Sequence, residues 1–180
     1  MKDTVKVHDK EFELFISSSE ISEMVDNLAL KLTNDLKGKD VVFIGILNGA
    51  FIFAADLMRR IKMNCCISFI KMASYKGIHT TGKVETLIGL CQDLQGKTVV
   101  IIEDIIDTGL TVENVLKQIE NYHPAEILVV ALLFKCDACI KDIRIDYFGR
   151  EIPNDFVIGY GLDYNGLGRN LQDIYKIRVS

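Results

Sequence analysis

The sequence predicts an α/β fold in which a mostly parallel β-sheet is covered by helices on both faces. Three nearly continuous apolar runs, at 41–47, 99–103 and 127–134, are typical of strands that are buried on both faces. Helical patterns lie between these runs, and strands that alternate with helices build a parallel sheet. Ligands of such sheets bind beyond the carboxyl ends of the strands.

The residue pattern of the N-terminal third indicates a strand, a helix and then a strand–helix unit. Residues 11–16 indicate a short strand, and Ser17 to Glu20 fits the capping box that begins a helix. Apolar residues then recur at helical spacing until Gly38: Ile21, Met24, Val25, Leu28, Leu32 and Leu36. The strand at 41–47 follows, Asn48-Gly49 interrupts it, and 50–61 predicts a helix.

The remaining elements follow the same alternation. Residues 66–70 predict a strand, and the polar stretch 71–86 is long enough to be a functional lid or a disordered segment. A helix after the strand at 99–103 is predicted by the apolar face Val112, Val115, Leu116, Ile119 and Tyr122. The other short strands are predicted at 87–91, 143–148, 156–159 and 174–179.

Composition limits the classes of function. A chain of 180 residues fits one domain, and 49% hydrophobic residues suffice for a real core. The net charge of −4 argues against a nucleic-acid or anionic-membrane surface. No segment approaches the length of a membrane span, and the N-terminus carries no apolar signal core, so we expect a cytoplasmic protein.

The five cysteines are expected to be reduced thiols, because their number is odd and no export signal precedes them. Cys136 and Cys139 form a single CxxC pair. A zinc site would need a second ligand pair at suitable spacing, and none is visible. The sequence therefore favours structural or incidental thiols at this motif.

The most informative stretch is 99–111, VVIIEDIIDTGLT. A buried strand meets Glu103 and Asp104, and a small loop of hydroxyl and glycine residues then leads into a helix. Unsatisfied N–H groups at a helix start favour a phosphate, and adjacent carboxylates suit vicinal hydroxyls or Mg²⁺. An ordinary helix cap and two solvated acids, as in response-regulator-like domains, are the simpler alternatives.

Other strand ends carry polar residues as well, at Asn48-Gly49 and at Lys135. Because parallel strands end at the same edge of a sheet, we expect these residues and the acids to face one crevice. Other nucleotide-binding signatures are absent from the sequence. It contains no P-loop, and Gly159-x-Gly161 lacks the third glycine and the helix of a dinucleotide fingerprint.

The stretch from Val99 to Thr111 resembles the phosphoribosyl-pyrophosphate motif of type I phosphoribosyltransferases. Further segments are similar to the hypoxanthine (hypoxanthine-guanine) branch of that family: GILNGAFIFAADL at 45–57, SYKG at 74–77, LLFK at 132–135 and FVIGYGLDYNGLGRNL at 156–171. The resemblance spans roughly residues 10–178 and implies one domain, 1–180. Its core would cover about 38–140, and a small hood would come from about 1–18 and 141–180.

The resemblance also implies residue roles. Asp107 would be the general acid/base at purine N7, and Ser74 and Tyr75 would lie on a mobile loop. Phosphoribosyl pyrophosphate would be bound by Leu47, Asn48, Gly49, Glu103, Asp104, Asp107, Thr108, Gly109, Leu110, Thr111 and Arg169. The purine would be bound by Lys135, Phe156, Val157 and Asp163. The Mg²⁺ ions would be held by Glu103, Asp104 and Asp163.

The implied activity transfers the 5-phosphoribosyl group to N9 of a 6-oxopurine, hypoxanthine with guanine as a second base, in purine salvage. Relatives form dimers or tetramers, so a homodimer or homotetramer is expected. A nucleotide-sensing regulator of the same fold and a transferase for another base are the alternatives. One departure is clear. The family usually has Leu-Lys-Gly in the pyrophosphate loop, whereas this chain has Leu47-Asn48-Gly49.

Overall fold

The structure is a computed structural model that describes residues 4–72, 86–88 and 93–178. Its central sheet has six strands in the order β5-β4-β3-β6-β7-β8. The strands are β3 (Val41–Leu47), β4 (Cys66–Met72), β5 (Thr86–Ile88), β6 (Thr98–Ile106), β7 (Glu126–Phe134) and β8 (Tyr147–Glu151). All neighbours pair in parallel except β5, which is antiparallel to β4. The predicted mostly parallel sheet is confirmed.

Alternate residues of the buried strands serve the two faces of this sheet, because successive side chains of a strand point to opposite sides. Val41 and Phe43 pack with α1 (Ser18–Asp35) and α2 (Phe51–Arg60). Val42 and Ile44 pack on the other side against α3 (Leu110–Glu120). Helices on both faces explain why these strands are apolar at nearly every position. The capping box at Ser17 is formed with both of its hydrogen bonds.

The two ends of the chain form a second, four-stranded sheet in the order β1-β2-β10-β9. Its strands are β1 (Thr4–Val7), β2 (Lys10–Ile16), β9 (Val157–Ile158) and β10 (Ile174–Ile177). This sheet is the small hood that the resemblance implied. The residue limits of core and hood stay a prediction. No helix among the described residues is long and apolar enough to span a membrane.

Two predicted strands differ from the observed ones. The strand predicted at 143–148 is wrong in position, since β8 begins only at Tyr147. Val129 donates a backbone hydrogen bond to the Asp146 side chain, and regular pairing with β7 starts at the next residue. The strand predicted to stop at Glu103 continues to Ile106, because its ladder with β7 extends that far. The predicted loop at 71–86 lies mostly outside the described residues, as does most of the strand predicted at 87–91.

Candidate active site

A cavity of about 510 Å³ lies at the carboxyl ends of β3, β6 and β7, beneath the segment 156–169. The expected convergence of strand ends is therefore present. The sequence-predicted residues that line the cavity are Leu47, Gly49, Glu103, Asp104, Asp107, Leu110, Thr111, Lys135, Phe156, Val157, Asp163 and Arg169.

A few predicted residues lie elsewhere. Thr108 and Gly109 line a smaller cavity of about 70 Å³, which shares Glu103, Asp107 and Thr111 with the large one. Asn48 is exposed between two lining residues. Ser74 and Tyr75 lie outside the described residues.

The cavity also has lining residues that the sequence reasoning missed: Ile46, Ile105, Asn114 and Leu162. Asn114 had a detectable signal, because it lies three positions after Thr111 and so shares its face of α3. Ile105, which follows the two acids in β6, gave no such signal because it is apolar like the core residues around it.

The two acids are buried within β6 rather than placed after it, with Glu103 7% and Asp104 8% exposed. Burial raises the pKa of Glu103 well above its usual range, and the neighbouring Asp104 charge adds to the effect. Burial also raises the pKa of Asp104 from 3.8 to about 6, although its hydrogen bond from the Ile105 N–H and the charge of Arg169 act in the opposite direction. Burying these two carboxylates in their ionised forms therefore costs free energy, which a bound ligand can offset.

The loop of Leu47, Asn48 and Gly49 packs directly against this acidic edge. A side chain on Gly49 would overlap the carboxylate of Asp104, and one on Gly161 would overlap the Gly49 carbonyl. Glycine is therefore required at both positions by close approach. The peptide bond between Leu47 and Asn48 is cis. Asp104 of β6, Gly49 of the loop and Gly161 of the segment 156–169 are therefore in close contact.

Lys135 and Asp107 form an ion pair inside the cavity. Nζ of Lys135 donates to Oδ2 of Asp107 at 2.8 Å. The lysine side chain is 7% exposed and that of Asp107 is 46% exposed, so the aspartate faces the open part of the cavity. The backbone N–H of Lys135 donates to the Ile106 carbonyl, which holds the end of β7 beside the end of β6.

The loop 107–109 ends at the start of α3. Gly109 is the residue before the helix and has φ of 81°, a left-handed conformation that glycine adopts without strain. The N–H groups at the start of a helix have no partner within the helix, and Leu110 and Thr111 of this first turn line the cavity. Such a helix start is a natural anion site.

Arg169 is held by contacts within the segment 156–169. Its guanidinium pairs with Asp163 at 2.6 Å and donates to the Gly161 carbonyl. Asp163 also accepts a hydrogen bond from the Gly166 N–H at 2.6 Å. These contacts fix a cation at the cavity, and its charge acts on Asp104.

An aromatic cluster supports Phe156, which is 44% exposed at the cavity. Tyr164 meets the Phe156 ring edge to face at 5.7 Å, and Phe12 lies 6.4 Å from it. The hydroxyl of Tyr164 donates to Asp9 at 2.9 Å, and the His8 ring meets Tyr164 at 5.6 Å. The N-terminal hairpin turn therefore helps to hold the aromatic ring at the cavity.

The donor set of the acidic edge fits Mg²⁺, which prefers carboxylate oxygens together with substrate phosphates and water. Glu103 and Asp104 offer such oxygens with raised pKa values, so a divalent cation would stabilise their ionised forms. Within the described ranges, no group of three or more His, Cys, Asp or Glu residues could hold a metal by itself.

Comparison with known proteins explains the arrangement. The family model for phosphoribosyl transferase domains matches residues 17–165. The chain belongs to the phosphoribosyltransferase family. A curated hypoxanthine-guanine phosphoribosyltransferase of Staphylococcus aureus strain Mu50 is 36% identical over 173 residues, which cover 96% of this chain and 97% of the relative. One from Staphylococcus epidermidis strain ATCC 12228 is 35% identical over 167 residues, 92% of this chain and 93% of the relative.

Solved phosphoribosyltransferases share the fold. A hypoxanthine phosphoribosyltransferase of Staphylococcus aureus in a tetragonal crystal gives a TM-score of 0.87 at 36% identity and covers 92% of this chain and 91% of its own. A hypoxanthine-guanine phosphoribosyltransferase of Bacillus anthracis, with HEPES in its active site, gives 0.85 at 36% identity and covers 93% and 97%. The predicted phosphoribosyltransferase fold and family are confirmed.

Proposed function

We propose that this protein is a hypoxanthine phosphoribosyltransferase of purine salvage, which joins a 6-oxopurine to the ribose of phosphoribosyl pyrophosphate and releases pyrophosphate. The observation that carries the proposal is one cavity that combines a helix-start anion site, two buried carboxylates and the Lys135–Asp107 pair. The named relatives, similar over nearly the whole chain, support the same reaction.

The donor occupies the β6 side of the cavity in this proposal. Its 5-phosphate accepts hydrogen bonds from the loop and helix start formed by Asp107, Thr108, Gly109, Leu110 and Thr111. Glu103 and Asp104 bind the ribose hydroxyls. The pyrophosphate lies between Arg169 and the loop of Leu47, Asn48 and Gly49. Preorganised donors of this kind stabilise the charge that develops on a leaving group.

Mg²⁺, when bound with the donor, adds positive charge beside the leaving pyrophosphate, and Glu103, Asp104 and Asp163 are the residues that would hold it. The chain itself supplies the remaining chemistry at the base. Phe156 stacks on the purine and Val157 contacts its edge, while Asp163 lies near the exocyclic group. N9 attacks C1 of the ribose as the bond to pyrophosphate breaks.

Lys135 and Asp107 divide the work on the purine. The ammonium of Lys135 donates to the 6-oxo group, whereas a 6-amino group offers no acceptor to this buried cation. Asp107 exchanges the proton at N7, a contribution typically of ~10²–10⁴-fold in general acid/base catalysis. The Lys135–Asp107 ion pair, 2.8 Å long, keeps both groups in reach of one bound base. Ser74 and Tyr75, which lie outside the described residues, stay predicted as part of a loop that excludes water from the reacting sugar.

The experiment is a steady-state assay with phosphoribosyl pyrophosphate, Mg²⁺ and one base at a time. We expect turnover with hypoxanthine and guanine and much less with adenine, because of Lys135. Asp107→Asn is the matched control, since it keeps the shape of the side chain. Phosphoribosyl-pyrophosphate binding without turnover of any base would instead favour a nucleotide-sensing regulator. Cytoplasmic localisation and a homodimer or homotetramer belong to the same proposal. Sedimentation velocity can test the oligomeric state.

A further inference from the structure

The CxxC pair lies beside the phosphate-binding loop, although the proposed reaction does not use it. Cys136 follows Lys135 directly, and the short 3₁₀ turn Cys136–Ala138 leads to Cys139. Cys136 is exposed and Cys139 is half-buried, and both are free thiols. No group of three or more His, Cys, Asp or Glu residues in the described part of the chain could make this a metal site.

The geometry of the turn brings the two thiols onto one face. The Cys139 N–H donates to the Cys136 carbonyl at 3.2 Å, which closes one 3₁₀ turn. Residues three apart in this turn eclipse each other, and three steps of about 2.0 Å separate their Cα atoms by about 6 Å. Disulfides span Cα separations of about 4.4–6.8 Å, so the backbone already meets this requirement.

The half-buried thiol also supports the loop from behind. Sγ of Cys139 lies 3.2 Å from the position that a Cβ on Gly109 would occupy, and it donates to the Lys141 carbonyl at 3.5 Å. The next residue, Ile140, donates its N–H to the Thr108 carbonyl at 3.2 Å. Lys141 pairs with Glu113 in the first turn of α3 at 3.0 Å. The segment 136–141 therefore contacts both the loop and the helix start.

We infer that Cys136 and Cys139 form a reversible dithiol–disulfide site whose oxidation weakens phosphoribosyl-pyrophosphate binding. The oxidant is a small disulfide such as oxidised glutathione. The exposed Cys136 thiolate attacks one sulfur and expels one small thiolate, giving a mixed disulfide. The Cys139 thiolate then attacks the Cys136 sulfur and expels the second. Two protein thiols are oxidised, one small disulfide is reduced to two thiols, and their protons come from the protein thiols.

The oxidised state must differ at the loop for a simple reason. A disulfide has no S–H, so the hydrogen bond from Cys139 to Lys141 is lost, and the new bond draws the Cys139 sulfur toward Cys136. Only the part of this change that differs between the free and the donor-bound loop alters the affinity, and we expect a roughly fivefold loss, which corresponds to about 1 kcal/mol. The inference rests on the proposed function only in that the donor binds at this loop.

The test uses Cys65→Ser/Cys66→Ser/Cys91→Ser protein, which retains only the pair. It is equilibrated in glutathione buffers with and without phosphoribosyl pyrophosphate and Mg²⁺, and peptide mass spectrometry reads the disulfide. We expect a Cys136–Cys139 disulfide, a dissociation constant for the donor that rises roughly fivefold on oxidation, and full reversal by dithiothreitol. By linkage, the donor must disfavour oxidation by the same factor. Adding Cys136→Ser should remove the response and leave binding by the reduced protein unchanged.

Three results would overturn the inference: no intramolecular disulfide between these two residues, a disulfide that leaves donor affinity unchanged, or a response that persists in Cys136→Ser. None of them requires turnover. Reduced protein that binds the donor but transfers no ribose to any 6-oxopurine would defeat the proposed function alone.

Discussion

Replacing Asp104 by Asn should stabilise the free protein at neutral pH while it impairs donor binding. The carboxylate is 8% exposed, and burial raises its pKa to about 6. Asn has nearly the same shape, so it still fits beside Gly49, and its oxygen can still accept the Ile105 N–H. The substitution removes the buried charge, and with it the interactions of that charge with Glu103 and Arg169.

The magnitude follows from the pKa. A pKa of about 6 in the fold, against 3.8 for an ordinary aspartate, corresponds to about 3 kcal/mol of destabilisation when the group is ionised. The sign follows from linkage. Because the folded state binds this proton more tightly than the unfolded state, the free energy of unfolding falls as pH rises from about 4 to about 6. The gain from Asp104→Asn is therefore complete above that interval and absent below it.

The assay is urea unfolding of the ligand-free protein at pH 7 and near pH 4, with the melting temperature as a second readout. About 3 kcal/mol corresponds to roughly 6–12 °C for a domain of this size. Asp107→Asn is the matched control, made three residues later in the same segment. It should destabilise the protein at pH 7, because it leaves the buried Lys135 ammonium without its anion.

Two outcomes would refute this reasoning. An unfolding free energy of Asp104→Asn at or below that of the parent at pH 7 would mean that the buried charge is compensated within the free protein. A gain of equal size at both pH values would trace the effect to packing rather than to ionisation.

The catalytic predictions concern single side chains at the same cavity. Asp107→Asn should lower kcat far more than it weakens phosphoribosyl-pyrophosphate affinity, and equal losses in steady-state and binding measurements would speak against the acid/base role. Lys135→Ala should reduce the preference for hypoxanthine over adenine in competition assays, and an unchanged ratio would contradict the assignment. Asn48→Lys should tighten product inhibition by pyrophosphate through the added ammonium, so a looser or unaltered inhibition constant would defeat the charge argument. Tyr164→Ala should raise KM for the base roughly fivefold and spare KM for the donor, because Phe156 loses an edge-to-face contact of ~1 kcal/mol, and Tyr164→Phe should restore the parent value. A matching rise in both KM values would indicate general damage.

Much of the fold could be predicted from the sequence because burial dictates it. The apolar run of β3 has to be buried on both faces, and the apolar face of α1 has to be buried against a sheet. Both elements lie close to their predicted bounds. The residues at which strands begin and end were harder to predict from the sequence. The end of β6 and the start of β8 are decided by ladder partners on β7 and by the Asp146 side chain, which are remote in sequence.

The candidate site shows the same division. The motif at 99–111 identified the acids and the loop, since strand, charge and helix start are adjacent in the chain. The contact of Gly49 with Asp104 and that of Gly161 with Gly49 depend on segments that are distant in the sequence. Local pattern reveals which groups a site has, and long-range packing decides what each of them touches.

The raised pKa values give the acidic edge a further consequence for binding. Burial raises the pKa of both Glu103 and Asp104, and a cation bound beside them would favour their ionised forms. Affinity for the donor should therefore rise with pH through about 6, where Asp104 ionises. In the proposed complex, ribose hydroxyls and a cation would offset the free energy lost by burying this edge. The same two side chains thus lower the stability of the free protein and favour its complex.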